Sequence, residues 1–473
     1  MNHITIKIIC LTLLLAGCSL SPKYQQPITN LPQYLGLEST EEKISTTWWK
    51  DFGDSTLDLL IEEALDNNYD LALAMSRVSQ ARSSWSYARS DRYPNIKLQG
   101  EATRIKKDPS KGQLENYNNF SLSGIVSFEL DLWGRARDAD RRAYANLLSI
   151  KANQDTIKLS LIANVAESYF GILTLNNQIQ ISQNTLKARE ENYQYRKKEF
   201  EIGQISEITM QQAKSEVASV KAQLQSLLKE QNAAQTALLI LLGRDPEGIF
   251  NVDIPTQPQE LPDAPVIPVG LPSSILEQRP DIEAATQNLK AANFAVGVAR
   301  SAYFPTISLT GLAGYVSPEL SNLTQNSSST WNYGGNFISN LLDLGRTNAN
   351  INLTKAQYQE MLLVYGQTIN KAFGEVRDSI FNYSISNERI QSFNEQVEAL
   401  KRTLVLAQLR YEEGYTNYLE VLTTQSSLFA AELNQQSAKL ENLSAAINLY
   451  KALGGGWSKE YEANNSDKQL HLE

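Results

Sequence analysis

Residues 88–100 read ARSDRYPNIKLQG, and residues 299–311 read ARSAYFPTISLTG. The two stretches lie 211 positions apart, and the same offset relates residues far outside them. Asp70 returns as Asp281, Phe200 and Glu201 as Tyr411 and Glu412, Gly203 as Gly414, and Leu242-Gly243 as Leu453-Gly454. A constant offset leaves almost no room for insertions between the copies. An internal period sets the architecture before any local feature does. This one is far too long for a solenoid unit, so the chain consists of two large pseudo-equivalent halves.

Within the quoted stretch the hydrophobic period changes. Leu57, Leu60, Ile61 and Leu65 have helical spacing, and a second helix is predicted over 71–89. Pro94 stops it. After that Ile96, Leu98, Gly100 and Ala102 alternate with polar residues. A polar turn is expected over 106–117. A second alternating run follows, with Phe120, Leu122, Gly124, Val126, Phe128 and Leu130 on one side and Ser121, Ser123, Ser127, Glu129 and Asp131 on the other. That pattern is a β-hairpin with one apolar face. The second copy repeats it, with Ile307, Leu309 and Gly311, a Ser- and Asn-rich loop over 316–330, and Trp331, Tyr333, Gly335 and Phe337. Aromatic residues begin the apolar stripe, as in the girdles of membrane barrels.

Each hairpin leads into a long helical stretch. Val165, Ile172, Ile179, Leu186, Tyr193 and Phe200 are seven residues apart, and so are Val376, Tyr383, Ile390, Val397, Leu404 and Tyr411. A sustained heptad is a coiled-coil seam. No proline interrupts residues 136–201. At 1.5 Å per residue, such a helix reaches roughly 100 Å. Gly203 and Gly414 are the expected turns, each followed by a return helix. Between the copies, residues 245–272 carry seven prolines and read as loop. After Trp457 the tail is polar, and disorder is expected there.

The N-terminus reads as a targeting segment. Residues 4–16 are an apolar run, too short to span a bilayer and ending in small residues, as a signal peptide does. Leu15-Ala16-Gly17-Cys18 resembles a bacterial lipobox, which implies cleavage before Cys18 and lipid on its thiol. Ser19 in the next position favours the outer membrane. Acyl chains contribute about 0.8 kcal/mol per buried CH₂, so several make a stable anchor. Cys10 would be discarded with the leader, and of the two histidines His3 would go with it. The inventory leaves no disulfide, thiolate metal site, histidine metal site or Ser-His-Asp chemistry. No basic stripe accompanies the net charge of −9, so nucleic acid is not an expected partner.

Four strands with one apolar face each are the physical crux. The opposite face is polar, and no spare apolar segment exists to cover the first. Lipid tolerates no open strand edge, and single-chain barrels begin at about eight strands. A barrel must therefore be shared between copies, and this argument alone permits two, three or four. Two rivals explain less. A coiled-coil structural lipoprotein or adhesin accounts for Cys18 and the heptads but not for matched amphipathic strands. A periplasmic hydrolase would have to work with carboxylates alone.

The chain resembles the TolC-like outer-membrane efflux factors, closest to the OprM-type lipoprotein branch. Cys18-Ser19-Leu20, Gln278-Arg279-Pro280-Asp281, Asn417-Tyr418-Leu419 and the ending from Asn448 to Trp457 carry the resemblance. It implies an α+β membrane protein: a homotrimer with a 12-stranded outer-membrane β-barrel, four strands per chain, continuing into a 12-helix periplasmic coiled-coil α-barrel. It further implies a passive exit duct for drugs or other small toxic compounds. An inner-membrane pump drives the flow through a periplasmic adaptor, and neither cofactor nor enzymatic activity is involved. The implied organisation is a signal peptide (1–17), a lipidated arm and equatorial region (18–55), a first repeat (56–243), a Pro-rich equatorial link (244–272), a second repeat (273–457) and a polar tail (458–473).

The same resemblance places functional residues. Gly203, Ser206, Gly414 and Asn417 are expected at the adaptor-docking tips. Leu419 matches a constricting leucine and Glu420 an inward carboxylate. Three Glu420 carboxylates near one axis could attract cations or raise their own proton affinity. Thr423 stands where the branch has a gate aspartate, and Ser426 where it has the arginine partner. The expectation is a periplasmic gate of Leu419, Glu420 and Thr423 held more by leucine packing than by ion pairs.

Overall fold

The computed structural model describes residues 19–25, 27, 44–107, 115–251, 254, 259–267 and 279–457. The leader, Cys18 and the tail from 458 lie outside the described residues. The elements run α1 (Ser55–Asn67), α2 (Tyr69–Ser90), β1 (Asn95–Lys107), β2 (Glu115–Glu129), α3 (Arg135–Glu201), α4 (Glu207–Leu241), the short α5 (Pro246–Phe250), α6 (Pro280–Ser301), β3 (Thr306–Ser317), β4 (Ser329–Ile338), α7 (Arg346–Glu412) and α8 (Tyr418–Ala452). The doubling is kept in the helices. α3 and α7 both have 67 residues, and α4 and α8 both have 35. The later member of each pair starts 211 positions after its counterpart.

The chain divides into two compact units, and each draws on both copies. One comprises the described residues within 1–29, 76–152 and 284–367, and the other the described residues within 30–75, 153–283 and 368–473. The first holds a single antiparallel sheet in the order β1-β2-β3-β4. Gly100 pairs with Leu122, Leu122 with Tyr315, and Gly311 with Tyr333. Because side chains alternate with period 2, this register puts the alternating apolar positions read from the sequence, from Ile96, Leu122, Leu309 and Tyr333 onward, on one face. Nothing among the described residues covers that face: Leu98 is 79% exposed, Trp331 72% and Tyr333 80%. The strands run further than their side chains suggest. β1 continues through Lys106 and Lys107, and β2 already begins at Glu115, inside the expected polar turn. Ladder hydrogen bonds use backbone groups, so polar side chains at a rim do not end a strand. The second loop likewise gives residues to β3 and β4 and holds two 3-10 turns, Leu320–Asn322 and Asn326–Ser328.

The arm that follows position 18 has a built seat in this unit. Asp138, in the first turn of α3 and fully buried, accepts hydrogen bonds from Ser19 Oγ at 2.9 Å and Ser21 Oγ at 2.7 Å. Asn293 donates to the Pro22 carbonyl at 2.9 Å and Arg300 to the Leu20 carbonyl at 3.2 Å. A Cβ on Gly297 would stand 2.0 Å from Ser21 Oγ, so only glycine lets the arm lie this close.

The second unit is helical. Asp54 caps α1, accepting from the N–H groups of Thr56 and Leu57. Leu57, Leu60, Ile61 and Ala64 bury its apolar face. An aromatic core gathers distant segments. Trp48, fully buried, stacks on Tyr450 with centroids 5.0 Å apart, and Phe52 lies 5.4 Å from Phe170. Trp457 donates to Asp155 at 3.1 Å. Gly455 (φ +58°) passes so close to Leu159 that a Cβ there would be 2.4 Å from its Cδ1. Among the described residues no helix is long and apolar enough to cross a membrane.

Burial raises the Glu167 carboxyl above the ordinary carboxylate range, against the hydrogen bond that Asn448 donates at 2.8 Å and the charge of Lys451. The folded state therefore favours the proton. Stability is lost as pH rises from the unfolded value through the raised one. Glu167→Gln keeps an acceptor for Asn448 and removes the charge. We expect the variant to unfold at higher temperature than wild type above that window and to match it below. A thermal melt series across pH checks this, and an unchanged difference at all pH values contradicts it.

Candidate gate and periplasmic tips

The two turns that reverse the long helices are near copies. Gly203 and Gly414 both have φ +76°, a left-handed conformation that glycine adopts without cost. The N–H after each glycine bonds back to a carbonyl five residues earlier, Gln204 to Glu199 and Tyr415 to Arg410, both at 2.8 Å. Ser206 precedes α4, and its hydroxyl lies 3.2 Å from that of Thr209 rather than capping the helix. Asn417 does cap α8, accepting from the Glu420 N–H at 3.3 Å. Apolar side chains stand in water at both tips: Ile202 is 69% exposed, Ile208 70% and Tyr415 78%.

The first two turns of α8 carry the expected gate residues. Leu419 is 53% exposed within the chain. Glu420 is half-buried; it pairs with Arg410 at 3.1 Å and accepts a hydrogen bond from the Thr416 hydroxyl. Thr423 is exposed and donates to the Leu419 carbonyl at 2.9 Å, a bond within its own helix. Beneath them Ala407, Tyr418, Val421 and Leu422 form a small buried cluster, with Leu404 and Tyr411 against it.

Two buried arginines of α3 dominate the polar contacts here. Arg189 donates to Gln425 at 2.6 Å and to the Ser426 hydroxyl at 3.2 Å, and lies 3.6 Å from Glu216 of α4. Ser426 in turn donates to Glu216 at 3.0 Å. Burial lowers the Arg189 guanidinium, with Glu216 opposing. Arg196 donates to Glu199 at 2.7 Å and to the Tyr411 hydroxyl at 2.8 Å, and its guanidinium carbon is 4.4 Å from the centroid of Tyr418. Burial works against its charge, but Tyr411 and Glu199 outweigh it and the value rises. The Tyr418 hydroxyl, raised by burial against Arg196, donates to Asn192 at 2.6 Å. These arginines therefore tie α3 to α7 and α8.

Sequence reasoning missed both arginines, although a signal was present. They are seven residues apart, on a stripe parallel to the heptad seam. Their counterparts 211 positions on are Leu400 and Ala407, so the copies diverge there from charge to small or apolar. In the sequence Ser426 stands out only as a missing gate arginine. In the structure its hydroxyl belongs to the Arg189–Glu216 cluster.

The outer membrane efflux protein family model matches residues 60–244 and 271–455, once per repeat. The cation efflux system protein CusC of Escherichia coli O6:H1 is 33% identical over 459 residues, 95% of this chain and 98% of CusC. The toluene efflux pump outer membrane protein TtgI of Pseudomonas putida is 32% identical over 461 residues, 94% of this chain and 97% of TtgI. The crystal structure of the Campylobacter jejuni CmeC outer membrane channel superposes with a TM-score of 0.90 at 28% identity, covering 96% of this chain and 98% of CmeC. The α+β fold is that of the outer-membrane channels, and the chain belongs to the outer membrane efflux protein family, an efflux channel of the outer membrane extending into the periplasm.

Proposed function

We propose that the chain forms the passive exit duct of a tripartite efflux system for drugs or other small toxic compounds, as a homotrimer. The carrying observation is the four-stranded sheet, with an apolar face that no described residue covers and two free edges. A structural lipoprotein or adhesin has no use for such a sheet. In lipid the face is satisfied, but the edges demand closure by further copies. Three copies supply twelve strands and one water-filled lumen. Lipid on Cys18 anchors each copy.

The two repeats, 56–243 and 273–457, build barrel and tunnel, and the arm 18–55 and link 244–272 contribute to a belt around the helices. The Gly203, Ser206, Gly414 and Asn417 tips, with exposed Ile202, Ile208 and Tyr415 beside them, dock a periplasmic adaptor that couples the duct to an inner-membrane pump. Leu419, Glu420 and Thr423 line the narrowest point. The duct itself performs no chemistry; energy enters from the pump.

Conductance in a planar bilayer tests the duct. Open-pore current with a low-conducting resting state is expected, and a protein that inserts but never conducts ends this reading. Leu419→Ala is expected to raise resting-state conductance, because three smaller side chains leave a wider hole at the constriction. An unchanged resting current would remove Leu419 from the gate.

A further inference from the structure

The sheet sorts its charges by face and by height. The channel extends into the periplasm through its helices, so the strand ends that join them, at Asn95, Glu129, Thr306 and Ile338, are the periplasmic ends. The far ends of β1 and β2, at Lys107 and Glu115, lie toward the cell exterior. On β2 the apolar positions run from Leu130, whose N–H still joins the ladder, to Phe120, ten residues on. Ten residues are about 34 Å of strand. At a tilt of about 40° they span roughly 26 Å of height, against an apolar band of about 25 Å in outer-membrane barrels. The described strands therefore cross the whole hydrocarbon layer, and the next positions emerge from it.

Arg104 and Lys106 occupy those positions. Phe120 is paired with Ala102, and Arg104 comes next on the same face, opposite Asn118. Each further pair of residues adds roughly 5 Å of height, so the two cations stand about 5 and 10 Å beyond the apolar band. Both are exposed, and neither has a partner among the described residues. Lys97, Glu101 and Glu129 take the alternate positions, on the polar face. β3 and β4 carry no charged residue. The chain has a net charge of −9, yet both charges on the described lipid-facing side of the sheet are positive. A shared barrel joins strand edges and leaves this face outward, so neighbouring copies do not cover them.

We propose that Arg104 and Lys106, with the Asn118 amide beside them, hold a phosphate of a glycolipid in the outer leaflet. This inference rests on the membrane-spanning barrel proposed above and deepens it by naming the lipid that its outer rim binds. Phosphate is the chemistry that fits. A guanidinium makes two parallel hydrogen bonds to phosphate oxygens, and an ammonium adds a compact charge. Residues two apart on one strand face are about 6.7 Å apart, so two long side chains can meet on one phosphate. Height selects the source. Phospholipid headgroups of the inner leaflet lie at the other end of the strands, beside the helices. The outer leaflet of such a membrane is made of phosphorylated glycolipid, whose phosphates sit just above its acyl chains. Ala102 and Phe120, one row below the cations, meet the upper methylenes of those chains.

Lipid retention by the full-length, detergent-solubilised protein tests the site. The probe is bisphosphorylated lipid A, and native mass spectrometry counts the molecules that each assembly carries. Wild type is expected to hold it on the order of thirtyfold more tightly than the double variant Arg104→Gln with Lys106→Gln, the effect of two surface cations. Exchanging the two cations, Arg104→Lys with Lys106→Arg, should keep most of the affinity. Lys97→Gln, on the polar face, should leave it unchanged. Equal retention by wild type and the glutamine variant overturns the proposal. So does equal retention, by wild type, of lipid A stripped of its phosphates, a comparison that needs no variant to fold. If phosphatidylglycerol displaces lipid A at equal concentration, the cations take a phospholipid and not the glycolipid proposed. If wild type neither assembles beyond one chain nor conducts, the duct fails and the site with it. An assembled, conducting protein without preference for the phosphorylated glycolipid removes the site alone.

Discussion

Replacing Arg279 with alanine is expected to be among the most destabilising single substitutions in the helical unit. The buried guanidinium donates to Asp281 at 3.0 and 2.7 Å, to Glu375 at 2.7 Å, and to the Ala452 carbonyl at the end of α8 at 2.8 Å. Burial opposes its charge, but the two carboxylates outweigh burial and raise its proton affinity. One side chain thus holds the start of α6, the middle of α7 and the last turn of α8. Removing one partner of a buried pair costs about 3–5 kcal/mol. The carboxylates are 31% and 41% exposed and regain water, so about 2–3 kcal/mol is the expected loss. Denaturant unfolding of the detergent-solubilised protein measures it. Arg279→Lys keeps the charge without the fork and should fall between wild type and alanine. An alanine variant within about 0.5 kcal/mol of wild type would show that the fork is dispensable.

Arg196→Met should act on the turn at Gly414 and on the gate proposed at Leu419. Methionine fills much of the same volume and removes the cation from Tyr418, Tyr411 and Glu199. A desolvated cation–aromatic contact is worth about 2 kcal/mol, and the bonds to Tyr411 and Glu199 go with it. The expected result is faster amide exchange around 192–199 and 411–422, with distant exchange unchanged, and a larger resting conductance. Unchanged exchange in both segments would mean that apolar packing alone holds α3 against α7 and α8. Exchange that rises without any change in conductance would separate this clasp from the gate.

The helices and the sheet were legible because each obeys a single period. The second half of α3 follows from the heptad over 165–200 and the rest from the absence of proline, and the expected start at 136 is one residue from the observed Arg135. The hairpin ends were not legible. Lys106, Lys107 and Glu115 look like turn residues, but strand pairing is a backbone property and ignores them. The sites divide in the same way. Gly203 and Gly414 could be placed because a left-handed turn needs glycine. Arg189 and Arg196 could not, because a charged residue beside a seam looks like a solvated one. Their partners on α7 and α8 are 215 to 237 positions away, so only the fold brings them together.

The unbroken run of α3 and α7 sets a rule on how such a chain can change length. An α-helix advances about 100° per residue. One residue inserted in α3 ahead of Arg196 would turn everything beyond it by that angle, swinging Arg196 off Tyr411 and Tyr418 while leaving the strands untouched. Insertions that complete whole turns, such as about seven or about eleven residues, nearly restore the facing, and a duct of several chains would need one in α3 and a matching one in α7. Length in this molecule is therefore quantised and locked between the repeats. That gives a mechanical reason for two helices of 67 residues and two of 35 to persist where side chains as different as Arg196 and Ala407 have parted company.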